Sequence, residues 1–194
     1  MALPHEERQY TYADYLTWPE DERIEIIDGV PYMHATPSPE HQLISGELFR
    51  QFANYLQGKS CKVYHAPFSV RLTRGDEKND EDIKKVFEPD ITIVCDQSKI
   101  DKKGCNGTPD LIIEIISPSS IKHDRVTKFN QYAQAGVIEY WIVEPEAKLT
   151  SVFLLQSDGR YGRLEIYTED EKISVSIFPD LIVDLSTVFP GQEI

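Results

Sequence analysis

Several features that would narrow the function at once are missing from this chain of 194 residues. Its three cysteines are odd in number and have no C-x-x-C spacing, so neither a disulfide framework nor a structural zinc site is supported. Residues 1–10 contain no apolar signal region, and no apolar run is long enough to span a bilayer. We therefore expect an unanchored cytoplasmic protein with no membrane partner.

Positive charge is also scarce. The chain has 20 Lys and Arg against 33 Asp and Glu, which gives a net charge of -13. This balance argues against a broad basic face that binds nucleic acid through its phosphates. It does not exclude a nuclease, because a metal site and a local basic cluster could offset the negative charge where a phosphate would sit. The residues of that cluster are Lys122, His123, Arg125 and Lys128.

The length and the 40% hydrophobic content predict one globular domain over residues 1–194. A short helix is expected over 11–18, with Thr11 as its N-cap. The pair Asp28-Gly29 predicts a tight hairpin within residues 23–35. A long amphipathic helix is expected from His41 to Leu56, where apolar residues recur at helical spacing.

Two apolar segments each contain an acid. The first covers residues 86–94 and includes Asp90, and the second covers 110–117 and includes Glu114. Residues 99–109 form a polar connection between them. A carboxylate among aliphatic residues is unfavourable unless it is paired or ligates a cation. Two such acids on consecutive strands predict a site for a hard divalent cation.

The following segment predicts a strand, a helix and a second strand. Ser119 and Ser120 offer N-caps for a helix that ends near Gly136, and residues 139–144 form the next strand. Such a crossover joins parallel neighbours in one sheet. Residues 149–185 are expected to extend that sheet with antiparallel strands.

Five motifs follow one another along the chain, at residues 25–29, 37–41, 88–90, 113–119 and 136–145. The order of the predicted elements resembles the PD-(D/E)XK nuclease superfamily, and the sequences of these motifs resemble its Uma-type restriction-endonuclease family. The match runs from about Tyr12 to the C-terminus. It implies an α/β, restriction-endonuclease-like fold, in which a mixed sheet is flanked by helices and followed by C-terminal antiparallel strands. The core would cover residues 23–145.

The resemblance also implies an activity, namely a DNA endonuclease that hydrolyses phosphodiester bonds with a metal-activated water. Asp90 would be the acid of the PD element and Glu114 that of the (D/E)XK element. Both would bind Mg²⁺ or Mn²⁺, with the backbone carbonyl of Ile115 as a further ligand. DNA would be the substrate. We also expect a homodimer, because a small acidic nuclease must otherwise cut the two strands by successive visits, and the aromatic-rich C-terminal strands offer apolar surface for pairing.

The chain departs from the superfamily pattern at Ile116, where that pattern has lysine. By the resemblance, Lys128 on the following helix supplies the missing cation, and Asp124 shares its helix face. Glu25 and His41 are candidates for accessory roles at the site.

Each of these residues also has an ordinary structural interpretation. Asp90 and Glu114 could cap a helix or form solvated ion pairs, and Lys128 could lie on a solvated face. Glu25 could be an exposed strand acid, and His41 a surface residue. A rival function is a nuclease fold that has lost cleavage and serves as a nucleic-acid or protein interaction module. The missing lysine and the acidity favour that rival somewhat.

Overall fold

Two six-stranded mixed sheets form the body of the computed structural model, which describes residues 8–19, 22–73, 75–77, 79–117 and 123–191. The helices are α1 (Tyr12–Tyr15), α2 (Pro39–Leu56) and α3 (Phe129–Ala135). The strands are β1 (Ile24–Ile27), β2 (Val30–Met33), β3 (Lys62–His65), β4 (Val70–Arg71), β5 (Val86–Phe87), β6 (Ile91–Val94), β7 (Ile100–Asp101), β8 (Gly104–Asn106), β9 (Leu111–Ile115), β10 (Glu139–Glu144), β11 (Leu149–Leu154), β12 (Glu165–Thr168), β13 (Lys172–Ser174) and β14 (Ile182–Asp184).

The first sheet has the order β2-β1-β5-β4-β8-β7, and the second has the order β12-β11-β10-β9-β6-β3. Each contains one parallel pair, β4 with β8 in the first sheet and β10 with β9 in the second. Strands β13 and β14 form a separate small antiparallel sheet. The α/β fold with mixed sheets and C-terminal antiparallel strands is therefore confirmed.

The second sheet is buried on both faces. Helix α2 packs Leu48 and Phe52 against one face, together with the C-terminal segment. The other face carries Ile112 and Tyr140, which pack against Tyr132 of α3 and against side chains of the first sheet. This double burial explains why β9 and β10 are almost continuously apolar.

The hairpin predicted at Asp28-Gly29 is confirmed between β1 and β2. Asp28 has φ 50° and Gly29 has φ 81°, the left-handed backbone that a two-residue hairpin turn needs. The turn fixes the register of the pair, in which Glu25 lies opposite Tyr32.

Three predicted helices have different bounds from those expected. Helix α1 covers only residues 12–15 of the expected 11–18, although Thr11 is its N-cap. Helix α2 begins two residues before His41, because Ser38 caps it. Before α3 the chain forms a π-helix over residues 123–128. The predicted caps Ser119 and Ser120 lie outside the described residues.

Three expectations about strands were wrong. Residues 86–94 are two strands, β5 and β6, which belong to different sheets. The connection over 99–109 contains the hairpin β7–β8. The C-terminal part extends the second sheet only through β11 and β12. The prediction that β9 and β10 are parallel neighbours is confirmed.

The expectation about cysteines was also wrong, since Cys61 and Cys95 form a disulfide. The antiparallel register of β3 with β6 pairs Lys62 with Val94. One further step beyond this pair sets Cys61 beside Cys95. Spacing along the sequence does not reveal such a cross-strand pair. Among the described residues, no helix combines the length and apolar character needed to cross a membrane.

Candidate active site

The chain crosses from the first sheet to the second between β5 and β6, and this crossing places acids at a cavity. Pro89 has no backbone N–H to donate, so the strand is interrupted there. The register of β6 with β9 pairs Ile91 with Ile113, and one further step sets Asp90 beside Glu114. Both acids line a cavity of about 700 Å³.

Asp90 is held by the neighbouring strand and by the start of α2. Its Oδ2 atom accepts a hydrogen bond from the backbone N–H of Ile115 at 2.8 Å. The same oxygen lies 3.2 Å from Nε2 of His41. The backbone N–H of His41 donates in turn to the capping oxygen of Ser38 at 3.1 Å. The Asp90 carboxylate therefore has a fixed position at the cavity wall.

Glu114 lies on β9 with its side chain toward α3. Its Oε1 atom accepts hydrogen bonds from Nζ of Lys128 at 3.0 Å and from the hydroxyl of Tyr132 at 2.7 Å. Ile116, which occupies the superfamily's lysine position, is buried in the apolar cluster on the same face of the sheet. It has no charge to offer the cavity.

Lys128 is surrounded by carboxylates and is only 1% exposed. Besides Glu114, its Nζ lies 2.9 Å from Oε1 of Glu25 and 3.4 Å from Oδ1 of Asp124. An ammonium buried to this degree needs such compensation, because its desolvation would otherwise be prohibitive.

Burial and neighbouring charges shift the pKa values of these groups in different directions. Burial alone would lower the pKa of Lys128, but Glu114, Glu25 and Asp124 hold it well above its usual range. Burial raises the pKa of Glu114 well above its usual range, and the carboxylates of Asp124, Asp90 and Glu25 add to this against the effect of Lys128. The pKa of Glu25 is well below its usual range, because Lys128, His123 and His34 outweigh its burial.

Two histidines face the second oxygen of Glu25. Nε2 of His34 lies 2.8 Å from Glu25 Oε2, and Nε2 of His123 lies 3.6 Å from it. The ring of Tyr32 packs against His123 with centroids 4.6 Å apart. His34 and His123 both line the cavity.

Glu88 is a further acid of the cavity wall. Its Oε1 atom accepts a hydrogen bond from the hydroxyl of Tyr15 at 2.6 Å, and its Oε2 atom accepts one from Nε of Arg23 at 3.3 Å. Burial raises the pKa of Tyr15, and its bond to Glu88 adds to this rise. These contacts connect α1, and Arg23 directly before β1, to the segment in which the chain crosses between the sheets.

The structure brings all the candidate residues to one place, and their roles stay predictions. The group consists of Asp90, Glu114, Ile115, Lys128, Glu25, His41 and Asp124. Arg125 belongs to the basic cluster that was expected near a phosphate, but it pairs with Glu144. Lys122 lies outside the described residues.

Sequence reasoning missed two neighbours of this group. Tyr132 lies four residues after Lys128, a helical spacing that sets both on one face and could have revealed it. His34 could have been found from the hairpin register, because β1 and β2 place it diagonally from Glu25.

Negative charge dominates the cavity. Among its described lining residues are the six acids Glu40, Glu88, Asp90, Glu114, Asp124 and Glu146, but only the two cations Arg23 and Lys128. In the described part of the chain, no three His, Cys, Asp or Glu side chains form a group arranged to hold a metal ion.

Known proteins share the fold of this chain over most of its length. An uncharacterized protein of Synechocystis sp. is 26% identical over 175 residues, which are 89% of this chain and 88% of that protein. A crystal structure described as a "putative nuclease belonging to DUF820", from Anabaena variabilis, superposes with a TM-score of 0.70. It is 19% identical and covers 92% of this chain and 97% of its own, so it shows a shared fold.

The family match covers most of the chain. Residues 12–186 match the Uma2 family, whose description is "Putative restriction endonuclease". This range contains both sheets and every acid at the cavity described above. The chain therefore belongs to the Uma2 restriction-endonuclease family.

Proposed function

We propose that this protein is a metal-dependent DNA endonuclease that hydrolyses phosphodiester bonds. The observation that carries this proposal is the placement of Asp90, directly before β6, beside Glu114 on β9, at a cavity that also holds the buried Lys128. Two carboxylates and a cation at one point of a cavity form a set that can bind a divalent ion and a phosphate together.

The residues present fit Mg²⁺ or Mn²⁺. Carboxylate and carbonyl oxygens are the donors that these hard ions prefer, and the excess of acids in the cavity leaves negative charge to be neutralised. Asp90, Glu114 and the carbonyl of Ile115 would hold the ion. When bound, it would supply Lewis-acid activation of the phosphate and of a water molecule.

The protein's own groups would orient the reaction. Tyr132 and Lys128 hold one oxygen of Glu114, which leaves the carboxylate a single orientation. The Ile115 N–H and His41 do the same for Asp90. Lys128 would stabilise negative charge on the phosphate in the place of the lysine missing at Ile116.

A rival interpretation is an inactive nuclease fold that binds nucleic acid or protein. The contacts of Lys128 favour it, because three carboxylates already engage the ammonium. The net charge of -13 also weakens the attraction of DNA.

A plasmid-nicking assay with Mn²⁺ or Mg²⁺ tests the proposal. We expect the wild-type protein to nick supercoiled plasmid, and Asp90→Asn to lose this activity and its Mn²⁺ binding. Lys128→Ala should lose most of its cleavage activity, with a measurable residue, and should keep its Mn²⁺ affinity nearly unchanged, since a cation is not a ligand. Adding Ile116→Lys should restore part of the activity. Loss of one electrostatic contact to a reacting phosphate costs about 10²–10³ in rate.

Asp180→Asn is the matched control, because Asp180 is an exposed acid in a turn remote from the cavity residues. It should cleave like the wild type. Mn²⁺ binding that survives Asp90→Asn would reject the metal site. Mn²⁺ binding without any cleavage would favour the inactive module.

A further inference from the structure

Glu25 connects two groups of side chains through its two carboxylate oxygens. It lies on β1 and is 0% exposed. Its Oε1 atom lies 2.9 Å from Nζ of Lys128 and accepts a hydrogen bond from the backbone N–H of Glu88 at 2.9 Å. Its Oε2 atom is turned away from the ammonium, toward His34 and His123.

The three carboxylates around Lys128 differ in what else they do. Asp124 belongs to the same helical segment as Lys128, and at 3.4 Å it makes the longest contact. Glu114 would share its charge with a bound metal ion. Only Glu25 belongs to the first sheet, so its oxygen keeps its position independently of the helix and of the metal.

The histidines limit the ways in which Glu25 can turn. Its Oε2 atom and the Nε2 atoms of His34 and His123 are buried, and none of the three has a hydrogen-bond partner among the described residues. The 2.8 Å between Nε2 of His34 and Oε2 of Glu25 is nevertheless a hydrogen-bond distance, and packing holds the three groups together. With Oε2 between two imidazole edges and Oε1 fixed by the Glu88 N–H, the carboxylate cannot rotate away from Lys128.

We propose that Glu25 is the positioning residue that fixes the Lys128 ammonium for the phosphate, and that His34 and His123 hold Glu25 in turn. This inference rests on the proposed nuclease function. Glu25 does not touch substrate in this scheme, and its whole effect on the rate passes through Lys128.

The first test is a double-mutant cycle of kcat with Glu25→Gln and Lys128→Ala. Displacing a reacting group by about 1 Å costs about 100-fold, so Glu25→Gln should lower kcat by about that factor and leave KM nearly unchanged. In the Lys128→Ala background the same change should have no further effect. A comparable loss in both backgrounds would overturn the proposal.

The division of the effect between kcat and KM provides a readout that a merely structural role would not give. Glu165→Gln is the control, because this exposed strand acid does not line the cavity, and both of its constants should match those of the wild type. A rise in KM that accounts for the loss of kcat/KM in Glu25→Gln would contradict the proposal.

One further measurement keeps this inference separate from the proposed function. Crystal structures of the wild type and of Glu25→Gln compare the position of the Lys128 Nζ atom without any cleavage. This atom should move from its wild-type position in Glu25→Gln even if the wild type proves inactive as a nuclease. Should Glu25→Gln not fold, His34→Gln should show the same displacement to a smaller degree, and an unmoved Nζ in that variant would overturn the proposal.

Discussion

Glu25 and Glu114 are buried acids that contact the same lysine, yet their pKa values are shifted in opposite directions. The pKa of Glu25 is held well below its ordinary value of 4.5, and that of Glu114 is raised well above it. Ionised Glu25 therefore stabilises the fold above pH 4.5, and this contribution is lost as the pH falls through its lower pKa. For Glu114 the sign is reversed, and its contribution is lost as the pH rises through its higher pKa.

We expect the matched substitutions to change stability in opposite directions at pH 7. Glu114→Gln should raise Tm, because the raised pKa means that the ionised carboxylate is less stable in the fold than in water; about 1 kcal/mol moves Tm by about 2–4 °C in a protein of this size. Glu25→Gln should lower Tm, because breaking a buried ion pair costs about 3–5 kcal/mol. Thermal melts at pH 7 and pH 4 measure both effects.

The gain from Glu114→Gln should vanish near pH 4, where the unfolded carboxyl is also protonated. A Glu114→Gln protein that melts below the wild type at pH 7 would show that the contact with Lys128 outweighs the burial of Glu114.

At the scale of elements, the pairing of β4 with β8 depends on Gly104. A side-chain carbon at this position would lie 2.2 Å from the carbonyl oxygen of Ser69, and φ is +123°. That carbonyl accepts the N–H of Cys105 at 2.9 Å, so it cannot move without loss of the parallel pair.

We therefore expect Gly104→Ala to destabilise the protein by roughly 3 kcal/mol or more, because a clash with backbone is added to the unfavourable φ. Gly58→Ala is the control, since its φ is +78° but no atom lies within 4 Å of the added carbon. It should cost only about 1–2 kcal/mol. Urea unfolding measures the difference, and equal losses in the two variants would show that the clash is relieved.

Elements formed by local signals could be predicted from the sequence, and those formed by distant pairing could not. Strand β10 has its expected bounds, Glu139–Glu144, because an apolar run stops at Pro145. The hairpin followed from Asp28-Gly29. In contrast, residues 86–94 look like one strand, and only pairing with separate sheets divides them at Pro89.

The same distinction applies to the candidate site. Asp90 and Glu114 could be selected because an acid in an apolar strand is conspicuous. Burial of Lys128 and Glu25 was not visible in the sequence, since charged residues are almost never fully buried unless they are paired. Their pairing joins β1 to the segment before α3, which no local pattern encodes.

At the scale of the whole molecule, both large sheets have a free edge among the described residues. Strand β2 ends the first sheet and exposes Val30 and Met33, the latter by 75%. Strand β12 ends the second sheet, where Ile166 is 55% exposed. Exposed apolar side chains on an unpaired strand favour association through that edge.

We expect a homodimer, because the proposed endonuclease would need two sites to cut both strands of DNA in one binding event. Light scattering coupled to size exclusion at micromolar concentration should give twice the chain mass of 22.3 kDa. Interfaces of standard size survive at that concentration. Ile166→Lys should yield the monomer if β12 forms the interface, and Ile182→Lys on β14 is the exposed control. A monomeric wild-type protein would contradict the expected homodimer.

The crossing between the sheets joins parts of the chain that lie far apart in the sequence. Asp90 bonds to a strand 25 residues later in the chain, and Glu88 to an acid 63 residues earlier in the other sheet. A partly folded chain with only one sheet would therefore not have the complete set of acids. Under the proposed function, cleavage would require both sheets to be in place, so an unfinished chain would be harmless to DNA during synthesis.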